Sequence, residues 1–414
     1  MAERWIIHSD INHCYAQIEE MKYPSTRLVP MAVGGHEESR HGIILAKNDL
    51  AKACGVKTGE SLREAIKKCP DLLIIHPRYD DYIYYTNAVK DIYRRYSDRV
   101  ESFGLDEAWI DITHSAQLFG DPVLLARKIQ KQVEIELGLK VSMGVSYNKV
   151  FAKIGSDISK HQGFLVVTKD NYQDIIWPLP IEDLFYVGYR TAPKLRARGI
   201  GTIGDLAKKS SAYLHSFLGK FGDTLWCFAN GYDGVDVSLI NQTQDIKSIG
   251  NGITAVRDME SIEDLKMVFY VLVESVATRL KEQGLKGDVI SIALRNSDLA
   301  SFSRQMKIDI PTNTASEIME TVMFLVHKYY QEGVRYRSIN VTVAHLGPDD
   351  GREQLSFFVS DEERQKEKHL DEVIDQIREK YGHDKIKRLV TMQDQELTGF
   401  DPLEDHIIHP VGYF

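Results

Sequence analysis

The chain has 414 residues, 43% hydrophobic and 27% charged, a globular composition with room for about two to four domains. A formal net charge of −9 gives no global support to a nucleic-acid partner, so any such partner needs local basic surface. No apolar run is long enough to span a bilayer, and Met1-Ala2-Glu3-Arg4 leads into a strand rather than a signal peptide. Cys14, Cys54, Cys69 and Cys227 lack CxxC spacing, which predicts a reduced, cytoplasmic setting without disulfides or structural zinc.

In chain order, residues 4–10 read as a strand, and residues 79–96 carry a helical stripe of Tyr82, Tyr85, Val89, Ile92, Tyr93 and Tyr96 that reads as core. Two short strands follow near 99–103 and 108–112. Asp121-Pro122 opens a helix with an apolar face at Leu125, Ile129 and Val133, and Gly138 ends it. Leu139, Val141, Met143 and Val145 alternate as a strand. The order β-α-β-β-α-β is that of a split βαβ, ferredoxin-like module. Its first crossover is interrupted by about 65 residues, from Ile11 to Pro77, which read as a small separate lobe. Short helices fill 168–235, and 236–247 read as a polar linker. The same element order then returns: a strand at 247–254, a helix at 261–283, strands at 287–295 and 301–310, a helix at 314–331 and a strand at 336–345. Beyond Gly347 the charge density predicts a solvated helix or loose tail.

Three carboxylates stand out. Asp10 closes the first strand, and Asp106-Glu107 occupy the hairpin joining the second and third. Each alone reads as a turn residue. In a split βαβ sheet, however, the first and third strands are the adjacent central pair, so the three can meet. Carboxylates so close repel unless cations bind, and all-oxygen ligation suits Mg²⁺. Two such ions can activate a hydroxyl for phosphoryl transfer. Downstream, Asn148-Lys149-Val150-Phe151-Ala152-Lys153 runs into a helix that continues to Lys160, and helical periodicity places its lysines on the surface. Leu184 to Lys209 reads as a helix-hairpin-helix, with Gly188 at a turn and Arg190, Lys194, Arg196, Arg198, Lys208 and Lys209 against Asp205. Such a turn can hold a DNA phosphate on backbone N–H groups without reading sequence.

At these residues the chain resembles the Y-family (lesion-bypass) DNA polymerases of the bacterial polymerase IV type, from residue 5 to about 346. Asp10-Ile11-Asn12-His13-Cys14-Tyr15-Ala16 is similar to the family's first metal-binding segment, and Phe103-Gly104-Leu105-Asp106-Glu107-Ala108-Trp109-Ile110-Asp111 to its second. Asn148 to Lys160 resembles the third, and Ser248-Ile249-Gly250 the start of the little finger. The resemblance implies an α+β multidomain fold: a split βαβ palm (1–14 and 77–167), a fingers insertion (15–76), a helical thumb with a helix-hairpin-helix (168–235), a linker (236–246), a second βαββαβ module as little finger (247–347) and a C-terminal tail (348–414). It implies that Asp10, Asp106, Glu107 and the Ile11 carbonyl hold two Mg²⁺ ions. Tyr15, beside Cys14, would act as a steric gate against a ribose 2′-OH, and Lys52 and Lys160 would contact the triphosphate. Gly188, Arg190 and Lys194 would touch DNA. The implied activity is template-directed DNA synthesis from dNTPs on a primed template, with low fidelity and no proofreading segment, by a monomer.

The chain departs from the family pattern in places. Asn12 stands where many members have a second acidic residue, and an Asn there resembles the polymerase V catalytic subunit. Asp49 and Lys52 stand where a Tyr and an Arg are frequent, and the thumb turn Gly188-Tyr189-Arg190 lacks a frequent second Gly. Gln354-Leu355-Ser356-Phe357-Phe358 resembles the peptide by which bacterial polymerases bind a sliding clamp, with Gln354, Leu355, Phe357 and Phe358 as anchors; a last strand of the little finger is the other reading. Two alternatives to a polymerase stand beside it: a catalytically impaired DNA-binding scaffold on the same fold, and a nucleotide cyclase, which can share the palm and its carboxylates. Retention of all three carboxylates and Tyr15 argues against the first. The helix-hairpin-helix and the second module argue against the other.

Overall fold

Residues 4–35, 42–160, 162–240, 242, 245–350, 361–382, 385–400 and 402 are described by a computed structural model. They divide into two units, one running to Thr243 and the other starting at Gln244. Among the described residues no helix is long and apolar enough to cross a membrane.

In the first unit the alternation of β1 (Ile6–Ile11) sorts its side chains onto two faces. Ile7 and Ile11 face the larger core, while Ile6 joins Trp109 and Ala152 on the other side. After β1 come α1 (Cys14–Lys22), β2 (Met31–Gly34), β3 (Ile44–Lys47), α2 (Asp49–Ala53), α3 (Leu62–Lys68), β4 (Leu73–Ile75) and α4 (Tyr79–Arg94). The chain then forms β5 (Val100–Phe103), β6 (Glu107–Asp111), α5 (Ala116–Phe119), α6 (Pro122–Leu137), β7 (Val141–Ser146), α7 (Lys149–Ile158) and β8 (Phe164–Val167). The main sheet has the order β5-β6-β1-β7-β8. The first and third strands of the βαββαβ are thus neighbours, as expected. Val89, Ile92 and Tyr93 of α4 and Leu125, Ile129 and Val133 of α6 cover one face. The fifth strand, β8, is an addition: it pairs parallel to β7, and a four-residue apolar run carries no periodicity by which to find it.

The inserted segment has its own sheet, β3-β2-β4, and a small core of Ala32, Ile44, Ala51, Val56, Leu62, Ala65 and Cys69. Its opening helix also reaches the main core, where Cys14, Ala16 and Ile18 of α1 are buried. Helix α7 covers the other face of the main sheet at very short range. A Cβ on Gly144 would lie 2.0 Å from the Ala152 carbonyl oxygen. We expect Gly144→Ala to push α7 off the sheet at a cost of about 1–3 kcal/mol or more, measured by urea unfolding. Beyond β8, helices α8 (Tyr172–Ile175), α9 (Ala192–Arg196), α10 (Ile203–Ala207), α11 (Ser211–Leu218) and α12 (Lys220–Ala229) share a core with Val150, Phe151 and Ile154 of α7.

The second unit comprises β9 (Ser248–Met259), α13 (Ile262–Glu282), β10 (Leu285–Asn296), β11 (Ser301–Thr312), α14 (Ala315–Tyr329) and β12 (Tyr336–Pro348), followed by α15 (Asp361–Tyr381) and α16 (Gln395–Thr398). The element order repeats that of the first unit, but the sheet order does not. Here it is β11-β10-β12-β9, with the last strand rather than the first between two neighbours from its own motif. The repeat is one of succession along the chain, and pairing choice is not written in local periodicity.

The tail contains the largely exposed helix that its charge predicts, α15, and this helix is anchored to the unit at a few points. Glu274, 7% exposed on α13, accepts hydrogen bonds from Arg378 (2.8 Å) and Arg388 (2.5 Å). Asp371 on α15 accepts from the Ala315 N–H at 2.7 Å and so caps α14, whose own Thr314 makes no side-chain cap. Leu397 of α16 is buried in the unit's core. These anchors are invisible to local charge because the partners lie 56 to 114 residues upstream. Glu274→Ala leaves two partly buried guanidiniums without their acceptor, and we expect it to destabilise this unit by about 2–4 kcal/mol in urea unfolding.

Candidate active site

The antiparallel register of β1 and β6 sets Asp10 directly opposite Glu107. The Ile11 N–H donates to the Asp106 carbonyl at 3.1 Å, which ties the β5–β6 turn to the end of β1. That turn needs Gly104, whose φ is +70°. The three carboxylates therefore share one end of the central strand pair. Among the described residues, however, no three carboxylate, imidazole or thiol groups converge into a ready-made metal cage. Two of the three are engaged with lysines. Lys160 Nζ lies 3.0 Å from Asp10 Oδ2, and Lys153 Nζ lies 2.6 Å from Glu107 Oε2.

Electrostatics separates the three. Burial, reinforced by Asp10 and Glu107, pushes Asp106 up to about 6. Burial also raises Asp10, although Lys160 offsets part of the effect. For Glu107 burial acts upward too, but His8 and Lys153 outweigh it and hold the carboxyl down at about 2. A cluster in which carboxylates raise one another fits cation binding. An Mg²⁺ ion needs only one or two protein carboxylates, with waters and substrate oxygens completing its shell.

Tyr15 lines an open cleft of about 1350 Å³, together with Asp106, Lys160, Asn12, Asp49 and Lys52. Its ring stacks on Tyr82 at 4.3 Å and meets Tyr79 edge-on at 6.1 Å. The Tyr stripe of α4 is core, as read, and it is also the wall behind Tyr15. Cys14 lines the cleft too, but it is 4% exposed and belongs to the main core. On the opposite wall, Asn48 caps α2 by accepting from the Ala51 N–H. Asp49 and Lys52 flank that first turn, both exposed, and Lys47 and Arg27 line the same cleft.

The lysines of α7 are not the surface residues that periodicity suggested. Lys149 is 9% exposed, bonded to Glu101 at 2.6 Å and set over the Trp109 ring. Lys153 serves Glu107. Their partners come from β5 and β6, which the helix pattern cannot see; only Lys160 reaches the cleft. Two buried groups were not singled out. His8 is fully buried beneath Glu107, and its place two residues before Asp10 on the same strand face was the available signal. Lys90, 2% exposed on α4, points its ammonium at the Gly104 carbonyl (3.4 Å), and burial lowers it to about 8 despite Asp106 nearby. No sequence signal marked it.

At the thumb turn, Gly188, Tyr189, Arg190 and Lys194 are exposed, and the Thr191 and Ala192 N–H groups donate to the Gly188 carbonyl. Just before the turn, Tyr186 stands in the left-handed region, at φ 69°. The basic set is smaller than counted from Leu184 onward. Glu182, just before that window, accepts from Arg196 through both carboxylate oxygens at 2.6 Å. Arg198 lies over the Phe217 ring at 4.0 Å. The clamp-like residues Gln354, Leu355, Phe357 and Phe358 lie outside the described residues.

Comparison with known proteins bears on this arrangement. The impB/mucB/samB family model matches residues 9–157, and the impB/mucB/samB family C-terminal domain matches 246–357. DNA polymerase IV of Acetivibrio thermocellus is 43% identical over 395 residues, 95% of this chain and 99% of that protein. DNA polymerase IV 2 of Bacillus subtilis is 34% identical over 95% of each chain. Among solved structures, a Y-family DNA polymerase chimera of Dbh and Dpo4 superposes with a TM-score of 0.71 at 22% identity, covering 82% of this chain and 98% of that one. An insertion ternary complex of Dbh DNA polymerase gives 0.58 at 22% identity, with the same coverage. The α+β fold with a split palm, a fingers lobe and a second βαββαβ unit is that of these polymerases. The chain belongs to the impB/mucB/samB family, as a Y-family DNA polymerase of the polymerase IV type whose activity is translesion DNA synthesis.

Proposed function

We propose that Asp10, Asp106, Glu107 and the Ile11 carbonyl form the metal-holding side of the polymerase site and that the ions are two Mg²⁺. Bound there, they would lower the pKa of the primer 3′-OH and offset charge on the triphosphate and the departing pyrophosphate. The observation that carries this reading is the Asp10–Glu107 register with Asp106 tied to Ile11, which gathers three mutually repelling carboxylates at one end of the central strand pair, with Asp106 lining the cleft. Lys160 supplies a flexible ammonium beside Asp10 for the triphosphate, and Lys52 a second cation from the fingers wall. Tyr15, fixed by stacking on Tyr82, excludes a 2′-OH from the sugar pocket. The backbone beside Cys14 contributes to that pocket's floor. The test is metal-dependent primer extension on a gapped template by the unaltered chain and by Asp10→Ala, which we expect to be inactive.

The palm comprises 1–14 and 77–167, the fingers 15–76, the thumb 168–235, and the little finger 247–347 after a linker at 236–246. Exposed Gly188, Arg190 and Lys194 contact the DNA backbone. In the little finger, Ile339, Val341 and Val343 are buried, which leaves Ser338, Asn340 and Thr342 on the face away from the core, suited to phosphate and sugar contacts that carry no sequence reading. A small fingers lobe checks little of the nascent pair, consistent with low fidelity. The protein works as a cytoplasmic monomer on primed DNA and dNTPs. Gln354, Leu355, Phe357 and Phe358 anchor it to a sliding clamp. Substituting Phe357→Ala together with Phe358→Ala should abolish clamp-stimulated synthesis and leave clamp-free extension intact; equal loss in both assays would refute the clamp assignment.

A further inference from the structure

One cluster beside the site is not used by the reading above. Glu107 Oε2 receives the Lys153 ammonium at 2.6 Å, and His8 Nε2 lies 3.3 Å from the same oxygen without the alignment of a hydrogen bond. The Ser156 hydroxyl donates to the Lys153 carbonyl at 2.8 Å and lies 2.7 Å from His8 Nδ1, so that Nδ1 carries the hydrogen they share. His8 is fully buried, and the Lys153 side chain is 13% exposed, with its ammonium 3.7 Å from Asp157 and over the Phe103 ring. All of this depends on the close seat of α7 on β7 at Gly144. Lys153 is therefore directed at a carboxylate rather than at a substrate.

We propose that Lys153 is a positioning residue: it holds Glu107 by Oε2 against α7, keeps that carboxylate apart from Asp10 and Asp106, and leaves Oε1 as the oxygen presented to a metal ion. This rests on the metal-holding role proposed for Glu107. Two consequences pull in opposite directions. An ammonium beside the carboxylates opposes cation binding, so its removal strengthens binding. The same ammonium fixes the rotamer of a flexible Glu side chain, so its removal loosens the geometry that turnover needs. A residue that merely supported the fold would weaken both properties or neither.

The probe is Mn²⁺ alone, titrated into the full-length chain without DNA and read by the loss of free Mn²⁺ signal in electron paramagnetic resonance. Single-nucleotide incorporation is measured at saturating metal on the same samples. We expect Lys153→Met to bind Mn²⁺ about three- to tenfold more tightly, with turnover about tenfold or more slower. Lys153→Arg, which keeps the charge and a donor, should return both to within about twofold of the unaltered chain. Lys153→Gln carries the same expectation as Lys153→Met and replaces it if the Met variant does not fold. Unchanged or weaker Mn²⁺ binding in both neutral variants would overturn the proposal. Asp106→Asn separates the two levels of the argument. If it fails to weaken Mn²⁺ binding, the metal reading falls, and this inference with it. If it does weaken binding while the Lys153 variants leave it unmoved, the positioning role alone is wrong.

Discussion

We expect Asp106→Ala to lower single-nucleotide incorporation by about a thousandfold or more, because on the proposed reading it removes a carboxylate from the charge balance of phosphoryl transfer, an effect of about 4 kcal/mol on the barrier. The same position gives an opposite result in stability. The folded-state pKa of Asp106 is about 6 against an ordinary 3.8, raised by burial and by Asp10 and Glu107. A carboxylate raised in this way stabilises the fold most below pH 4, where folded and unfolded states are both protonated. That contribution is lost as pH rises through 6, and above it the ionised group is held in an unfavourable place. In chelator-treated protein at pH 7.5, Asp106→Asn should therefore be more stable than the unaltered chain by about 1–3 kcal/mol, and the gap should close as pH falls toward 4. Urea unfolding at both pH values checks it. An Asn variant that is inactive and also less stable at pH 7.5 would mean that Asp106 is a structural turn residue.

Tyr15→Ala has the second largest expected effect, and it falls on selectivity rather than rate. The ring stacks on Tyr82 and meets Tyr79 edge-on, so a pair of rings in mutual contact backs it against the shift that an extra hydroxyl would require. Its loss should raise ribonucleotide incorporation relative to deoxynucleotide by about a hundredfold, equivalent to about 3 kcal/mol of discrimination. Tyr15→Phe keeps the ring and the stack and should keep the discrimination. Competition between rNTP and dNTP in single-turnover extension reads the ratio. Ribonucleotide use unchanged in Tyr15→Ala would remove the gate assignment and return Tyr15 to core packing.

Much of the first unit was legible because its signals are local. The apolar strand at 4–10, the alternation of Leu139, Val141, Met143 and Val145, the Asp121-Pro122 start and the Gly138 stop are each read within one element, and the split βαβ order then follows from topology. What escaped depends on partners distant in sequence. Lys149 and Lys153 look like solvent-facing lysines until Glu101 and Glu107 arrive from other strands. Arg196 counted as DNA-facing charge until Glu182, 14 residues earlier, claimed it. The anchoring of the tail escaped because Glu274 lies on another helix. The order β11-β10-β12-β9 differs from that of the first sheet although the same elements succeed one another. In the site, the placement of Asp10 beside Glu107 followed from the fold, whereas His8 and Lys90 became visible only through burial and distance.

The central claim is that the carboxylate end of this cleft performs template-directed, metal-dependent nucleotidyl transfer. Single-nucleotide incorporation on a gapped template tests it most directly, with each dNTP supplied in turn opposite each template base, with and without Mg²⁺. We expect the unaltered chain to add the complementary deoxynucleotide preferentially, only when the ion is present, and Asp106→Ala to add none above background. Extension that persists in Asp106→Ala, or no extension by the unaltered chain with any divalent ion, would contradict it.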